Sequence, residues 1–323
     1  MKWLLLLLFA LALSPAALAD GGPSPGVTVG GAGVSGSEVR YVTVGNGSAT
    51  ALEAIGLSGG TVRGWLDVKG SWGIPTVTYD GTTGGLSRDG TTLVLAATSP
   101  YTCTAHRCSL TGSTFAVYSA KSLRLRERVQ LKGIFSFDAL SPDGNRLYLI
   151  QYLASPGLSK YVVRAYDLGR ERLLPGTIAD RTQRGWKMQG QPMTRVASVG
   201  GRFVYTLYAN QGGYPFVHAL DTVRGVAHCV GLPWHGSQAG FAGMRLSLRG
   251  DGRTLEVSDP SGADAPAFAI DVRTYSVSQL GSGSPRGLPW WPLVLFALLA
   301  LVAGGFVRRN ASWFGRAPAA ANG

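Results

Sequence analysis

At 323 residues, 45% of them hydrophobic and 15% charged, the chain has the apolar content for one large domain or two ordinary ones, which excludes a disordered polymer. Its 46 glycines and plentiful Ser and Thr favour turns and short strands over a helical bundle, so an all-β body is expected. A formal net charge of +12 favours anionic neighbours. No Lys/Arg run is interleaved with stacking aromatics, however, so nucleic acid is not an expected partner.

The first 20 residues, "MKWLLLLLFALALSPAALAD", pair Lys2 with a Leu-rich run and then Ala17-Leu18-Ala19. This is the order of a secretory signal peptide over residues 1–19, too short to span a bilayer comfortably, with cleavage expected after Ala19. Residues 20–38, including "GGPSPGVTVGGAGVSG", precede no helical pattern and lack the Lys-Ser/Thr of a P-loop. They read as a flexible lead-in.

From residue 39 to residue 280 one pattern recurs. "ALSPDGNRLYLIQ" (Ala139 to Gln151) has near-copies in "GGLSRDGTTLVLA" (Gly84 to Ala96) and "LSLRGDGRTLEVS" (Leu246 to Ser258), and a looser one in "VASVGGRFVYTLY" (Val196 to Tyr208). In the first, Pro142 presets φ, Asp143 can accept a backbone N–H, and Gly144 takes a conformation L-residues resist. Asp143 is therefore read as a turn corner, not a catalytic acid. A second element follows each copy, in which an apolar residue precedes Ser119, Asp167, Asp221 or Asp271 and a polar turn leads into another strand, as in a hairpin of outer strands. "TALEAIGLSGGTVRGWLDV" (Thr50 to Val68) supplies an earlier version with Glu53 at that place. Gly90, Gly144, Gly201 and Gly252 are separated by 54, 57 and 51 residues. Units of four short strands cannot bury their faces alone, and radial closure into a β-propeller is the solution expected for antiparallel units.

"CTAHRC" (Cys103 to Cys108) lies in a loop between strands. In an exported chain two thiols so placed suit a disulfide; free thiols or a metal site of Cys103, His106 and Cys108 are the alternatives, the last lacking a second ligand pair. Cys229 reads as a buried free cysteine. His218 and His228 fall in paired strands and could be neighbours, but no histidine pair has HxH or HExxH spacing, and no GxSxG elbow is present. Trp65, Trp72, Trp186 and Trp234 are read as packing between units rather than as sugar platforms.

Residues 281–287, "GSGSPRG", read as a linker, and residues 288–307, "LPWWPLVLFALLALVAGGFV", carry no charge over about 30 Å of helix, the thickness of the hydrocarbon layer. Trp290 and Trp291 suit the outer interface. Arg308, Arg309 and Arg316 then place the 308–323 tail in the cytoplasm. "LPWWP" lacks the Thr-Gly a sorting transpeptidase cleaves, so a permanent single-pass anchor is expected. The extracytoplasmic part, Asp20 to Ser284, carries 25 basic against 18 acidic residues, a balance suited to lipid headgroups or wall polymers as well as to a merely basic surface.

The sequence "LSPDGNRLYLI", its copies and the "AYDLGRERLL"-type hairpins resemble extracytoplasmic bacterial β-propellers of the YVTN, TolB-like and WD-like type, over about Val39 to Leu280. "RYVTVGNGSATALEAI" looks like a first unit that begins at an inner strand. The resemblance implies four-stranded blades, about five, with six or seven open if "GVTVGGAGVSGS" or the long connections hide strands. It implies no cofactor, and it leaves function broad, because such propellers serve as binding platforms, assembly factors and a few enzymes. Ligands of propellers usually meet the mouth of the central channel, which by position would include Thr83, Asp138, Arg195 and Arg245. The expectation is a membrane-anchored binding or scaffold module for an envelope protein or glycan. A lactonase-type hydrolase and a sensor subunit signalling through a partner are the alternatives.

Overall fold

In the computed structural model the residues described are 27–28, 33–46, 48–99, 101–103, 108–110, 112–153, 160–183, 188–210, 213–236, 238–260 and 267–280. The expected signal peptide (1–19), linker, apolar span (288–307) and tail lie outside them, as do His106 and Trp186. Among the described residues no helix is long and apolar enough to cross a membrane. The chain divides into two compact units, Met1–Gln279 and Leu280–Gly323.

The repeated corner builds each sheet from a local signal. Ser141 Oγ donates to Asp143 Oδ1 at 2.5 Å, Asn145 N–H donates to the same oxygen at 3.2 Å, and Gly144 N–H closes the turn on Ser141 O at 2.9 Å. Gly144 has φ +66°, where an L-residue is strained. Ser87, Asp89 and Gly90 repeat the contacts at 2.6 and 2.9 Å, with Gly90 at φ +71°. The Ser141 bond holds the Asp143 carboxyl below its usual range against partial burial, helped by Asn145. These acids are corners, as read from sequence.

The strands in chain order are β1 (Val27–Thr28), β2 (Gly33–Ser35), β3 (Val39–Asn46), β4 (Ala49–Gly56), β5 (Val62–Lys69), β6 (Trp72–Pro75), β7 (Thr92–Ala97), β8 (Tyr101–Cys103), β9 (Cys108–Leu110), β10 (Ser113–Ser119) and β11 (Arg124–Leu131). They continue as β12 (Phe135–Leu140), β13 (Arg146–Tyr152), β14 (Tyr161–Asp167), β15 (Arg172–Leu173), β16 (Gln191–Ala197), β17 (Phe203–Ala209), β18 (Phe216–Asp221) and β19 (Val226–Gly231). After a short helix α1 (Gln238–Ala242) come β20 (Arg245–Leu248), β21 (Thr254–Ser258), β22 (Ala267–Asp271) and β23 (Val277–Leu280).

They form five antiparallel sheets: sheet 1 (β2-β3-β4-β5), sheet 2 (β6-β7-β10-β11, with β1 added beside β6), sheet 3 (β12 to β15), sheet 4 (β16 to β19) and sheet 5 (β20 to β23). The protein is thus all-β with about five four-stranded sheets, an arrangement consistent with a β-propeller. The ribbon β8-β9 occupies the connection between β7 and β10 and sets Cys103 directly opposite Cys108. The side chains of both cysteines lie outside the described set. Among the described residues no disulfide forms, and Cys229 is a buried free thiol.

Four apolar cores join consecutive sheets. Leu52 and Val68 meet Leu93 and Tyr118 between sheets 1 and 2, and Phe115 and Val117 meet Phe137 and Leu149 between sheets 2 and 3. Ile150 and Tyr161 meet Tyr208 and Phe216 between sheets 3 and 4, and Leu207 and Val217 meet Val257 and Phe268 between sheets 4 and 5. Sheets with a core on each face have strands buried almost throughout, such as β7, β13 and β17. In sheets 1 and 5, β4 and β21 alternate instead, and each buries one face. Among the described residues no apolar core joins sheet 5 to sheet 1, whereas a closed ring of equivalent sheets had been expected to bury both faces of each.

Three further expectations change. The lead-in 20–38 contains two strands. A Cβ on Gly33 would lie 2.4 Å from Tyr41 O, so a glycine required by backbone approach had read as linker. Val39–Asn46 is accordingly the second strand of sheet 1, and the first unit does not begin there. Glu53 sits mid-strand, between Val42 and Trp65. The position matching Ser119, Asp167, Asp221 and Asp271 is Gly56, since Leu57 N–H bonds Glu38 O as Leu168 N–H bonds Asn145 O. The acids at the other three hairpins do cap their turns: Asp167 accepts from Arg170 N–H, Asp221 from Val223 and Arg224 N–H, and Asp271 from Arg273 and Thr274 N–H, at 2.8 to 3.0 Å.

Candidate functional site

Of the four residues predicted for a channel mouth, two come together. Asp138 is the bulged residue of β12, and its Oδ1 and main-chain O accept from the Arg195 guanidinium on β16, whose Nε also donates to Thr206 Oγ1 at 2.8 Å. Their side chains are 2% and 10% exposed. Thr83 donates its hydroxyl to Gly33 O at 2.9 Å, and Arg245 is exposed and bonds the carbonyls of Gly243 and Met244 at 3.1 and 3.0 Å.

The centre is crossed by a segment that sequence reading missed. Between β6 and the Leu86↔Leu93 bridge, residues 76–83 form a strap with its own corner. Thr78 Oγ1 donates to Asp80 Oδ1 at 2.6 Å, Gly81 N–H closes on Thr78 O at 3.1 Å, and Gly81 has φ +86°. Tyr79 N–H and Asp80 N–H donate to Pro192 O and Met193 O at 2.8 and 3.1 Å, so a loop of sheet 2 is bonded to the bulge of β16 in sheet 4. A Cβ on Gly84 would lie 2.6 Å from the Phe137 ring. The strap therefore touches the first strands of sheets 1, 3 and 4. Burial opposes ionisation of Asp80, but bonds from Thr78, Thr82 and Thr194 hold its carboxyl below the usual range. The signal was present in "TYDGTT", which repeats the corner chemistry out of the 51- to 57-residue rhythm.

From Arg195 a polar row runs across sheet 4 through Thr206, His218 and Cys229, which are successive cross-strand partners. His218 Nδ1 lies 3.6 Å from Cys229 Sγ, and its Nε2 has no hydrogen-bond partner among the described residues. Burial pushes the imidazole down to about 4 and the thiol up to about 12. The pair is thus neutral, the opposite of the thiolate and imidazolium that nucleophilic catalysis uses. His228 is Ala219's partner, on the other face from His218, so the two histidines do not form one site. It bonds Asp180 at 3.0 Å and stacks on Tyr275 at 4.3 Å. Among the described residues no three His, Cys, Asp or Glu side chains converge as a metal-ligand set.

Open concave surface lies elsewhere. A groove of about 960 Å³ between sheets 1 and 2 is lined by residues including Glu38, Arg63, Leu66, Lys121, Leu123 and Arg124. A smaller one of about 420 Å³, between the corner of sheet 3 and the hairpin of sheet 4, includes Asp143, Arg146, Asp167 and Arg170. In the larger groove Lys121 and Arg124 make no ion pair or side-chain hydrogen bond with a described residue, and Arg63 lies a loose 3.7 Å from Glu38. Trp72 and Trp234 are buried at 6% and 8% exposure, but Trp65 is 65% exposed. Core packing, expected for these tryptophans, fails for Trp65 because it projects from the face of sheet 1 that no core covers.

No family model matches this sequence, and no curated protein does. Among solved structures, hydrazine synthase of Kuenenia stuttgartiensis is similar at 12% identity and a TM-score of 0.44, over 83% of this chain and 69% of that one. TolB from Acinetobacter baumannii is similar at 13% and 0.41, over 73% of this chain and 49% of that one, so the chain spans about half of that TolB. The Myceliophteria thermophila Cps50 (Swd1) β-propeller domain is similar at 9% and 0.41, over 77% and 73%. Likeness at this level transfers no activity, substrate or partner to the present chain.

Proposed function

We propose that the protein is a membrane-anchored, extracytoplasmic binding or scaffold module for an envelope protein or glycan. In this reading residues 1–19 direct export, residues 288–307 hold the chain in the cytoplasmic membrane, and residues 308–323 lie inside. The observation that carries it is the contrast between the centre and the rim. The charges of the centre are consumed by the Asp138–Arg195 pair and the strap, whereas the groove between sheets 1 and 2 is open and carries two uncommitted cations. Steering of an anionic partner toward a basic surface follows from the excess of basic residues.

The test is affinity capture with the full-length chain from solubilised envelope, run beside a panel of lactones and esters. A stoichiometric partner with no turnover supports a binding module; turnover with no partner reverses it. Protease protection of intact cells tests the topology: cleavage from outside should remove the β body and leave the tail, and a chain recovered in the cytosol would refute the anchor.

A further inference from the structure

We propose that the free edge of β5, with the adjoining groove, is a docking site for an extended acidic polypeptide segment that adds to sheet 1 as a further strand. The inference deepens the binding-module reading and rests on it. The strand is eight residues long, with a bulge at Arg63 that puts Val62 on the same face as Trp65, and pairs only with β4, leaving one row of N–H and C=O groups, regular from Gly64 to Lys69, along its outer side. Of that strand's main-chain groups, Lys69 O is engaged by a side chain, taking the Trp72 indole N–H at 2.9 Å.

The outer edges of sheets 3 and 4 are treated differently. On β19, Cys229 N–H donates to Asp180 Oδ2 at 2.8 Å, Gln183 Nε2 donates to Cys229 O at 3.3 Å, and Asp180 bridges Ala227. Beside β14, Ile178 N–H donates to Val163 O at 2.8 Å. Sheets 3 and 4 thus cover their edges with chain; among the described residues β5, β11 and the four-residue β23 have no such cover, and β5 is distinguished by the exposed Val62 and Trp65 beside its free edge.

The chemistry on either side of the β5 edge names the partner. Gly64 and Leu66 face the groove, on the side of the core with sheet 2, and across it stand Leu123, Lys121 and Arg124. On the opposite face Val62 and Trp65 are 55% and 65% exposed. Side chains of an added strand alternate between these faces every second residue, a repeat of about 6.6–6.8 Å. Those on the groove side meet a lining in which Arg63, Lys121 and Arg124 outnumber Glu38 and Asp89, and the two cations without a described partner call for Asp or Glu; those on the other side meet Val62 and Trp65 and call for apolar residues. A glycan fits less well. It cannot pair with the backbone row, which an extended polypeptide engages along its whole length.

The test uses the full-length chain in nanodiscs of neutral lipid and a capped, fluorescein-labelled octapeptide of alternating Glu and Val, read by anisotropy. Lys121→Glu with Arg124→Glu should weaken binding about tenfold, as two solvent-screened charge contacts predict. A Lys-Val octapeptide should not bind. N-methylation of one alternating set of peptide amides should abolish binding while methylation of the other set leaves it, the signature of a strand pairing along one edge. Equal binding by both methylated peptides, binding unchanged by the charge reversals, or displacement by an oligogalacturonide would overturn the proposal. If the charge-reversed chain still captures an envelope partner as wild type does, the binding-module reading stands and this site falls. The variant's thermal midpoint, unchanged for two exposed side chains, guards against misreading a folding defect.

Discussion

Replacing Asp138 by alanine should destabilise the protein far more than a polar-to-alanine change usually does. The Arg195 guanidinium donates to Asp138 Oδ1, to Asp138 main-chain O and to Thr206 Oγ1, with only 10% of its side chain exposed. Asp138→Ala deletes the countercharge and leaves the cation buried. Breaking a buried pair costs about 3–5 kcal/mol, and the two surviving hydrogen bonds put this case near the lower end, about 3 kcal/mol. In a domain of this size each kcal/mol lowers Tm by roughly 2–4 °C, so a fall of about 6–12 °C is expected. Asp138→Leu combined with Arg195→Met removes both desolvation penalties and should return to within about 1 kcal/mol of wild type. Far-ultraviolet circular dichroism during heating, at pH 7 with and without 1 M NaCl, measures all three; a buried pair is little screened. A shift under 2 °C for Asp138→Ala, or a double variant as unstable as the single, would refute the claim that the pair is shielded from water.

His218 supplies a pH dependence. Burial holds its imidazole at about 4, against about 6.5 unfolded, so between these values the unfolded chain binds the extra proton. The associated stability, about 3 kcal/mol, is complete above pH 6.5 and is lost as pH falls toward 4. Urea midpoints from pH 4 to 8 should rise with pH in wild type and flatten in His218→Gln; parallel curves would exclude a buried neutral imidazole. Gly90→Ala and Gly144→Ala both place an L-residue at positive φ, costing about 1–2 kcal/mol. The second also drives a Cβ to 2.3 Å from Oγ1 of the fully buried Thr92, while nothing lies within 4 Å of the first. Gly144→Ala should thus cost clearly more by urea denaturation, and equal costs would mean the corner of sheet 3 does not pack on sheet 2. Directly opposed residues in an antiparallel ribbon have Cα atoms about 4.5–5.5 Å apart, within disulfide reach. Non-reducing mass spectrometry of the protein produced in an oxidising compartment should therefore find Cys103 linked to Cys108; two alkylatable thiols would exclude the bridge.

What the sequence made legible was local chemistry. Pro142-Asp143-Gly144 can hardly be anything but a corner, and the acids at 167, 221 and 271 announce hairpins because an Asx turn needs only its next three residues. Failures occurred wherever the cause was remote. Gly33 is a strand residue because Tyr41 O leaves no room for a side chain, and nothing beside it in the chain says so. The hairpin of sheet 1 ends in Gly56 rather than an acid, so matching by residue type selected Glu53 instead. Trp65 looks like core by composition; its exposure depends on which neighbour covers that face of sheet 1, a relation between sheets rather than a property of β5. Asp138 and Arg195, 57 residues apart, were placed near one another by position in the repeat. Alternation along a strand says which way a side chain points and not what meets it there.

The strap explains why the rim carries the proposed docking site. In propellers the mouth of the axis is the usual place for a ligand, and placing one there would mean parting the first strands of sheets 3 and 4 from each other and the strap from sheet 4. Removing Arg195 from Asp138 costs about 3–5 kcal/mol. Releasing Tyr79 and Asp80 N–H from Pro192 and Met193 adds about 1 kcal/mol for each bond. A central ligand would have to offset some 5–7 kcal/mol, roughly a 10⁴- to 10⁵-fold loss of affinity, before any contact of its own counted. The β5 edge opposes a partner with no such term. Its N–H and C=O groups face outward, and Lys121 and Arg124 have no described partner to leave. A variant in which Tyr79-Asp80-Gly81 is shortened to a single glycine should lose stability by thermal denaturation yet bind the Glu-Val octapeptide as wild type does. Loss of that binding would mean the strap, rather than the edge of sheet 1, organises the site.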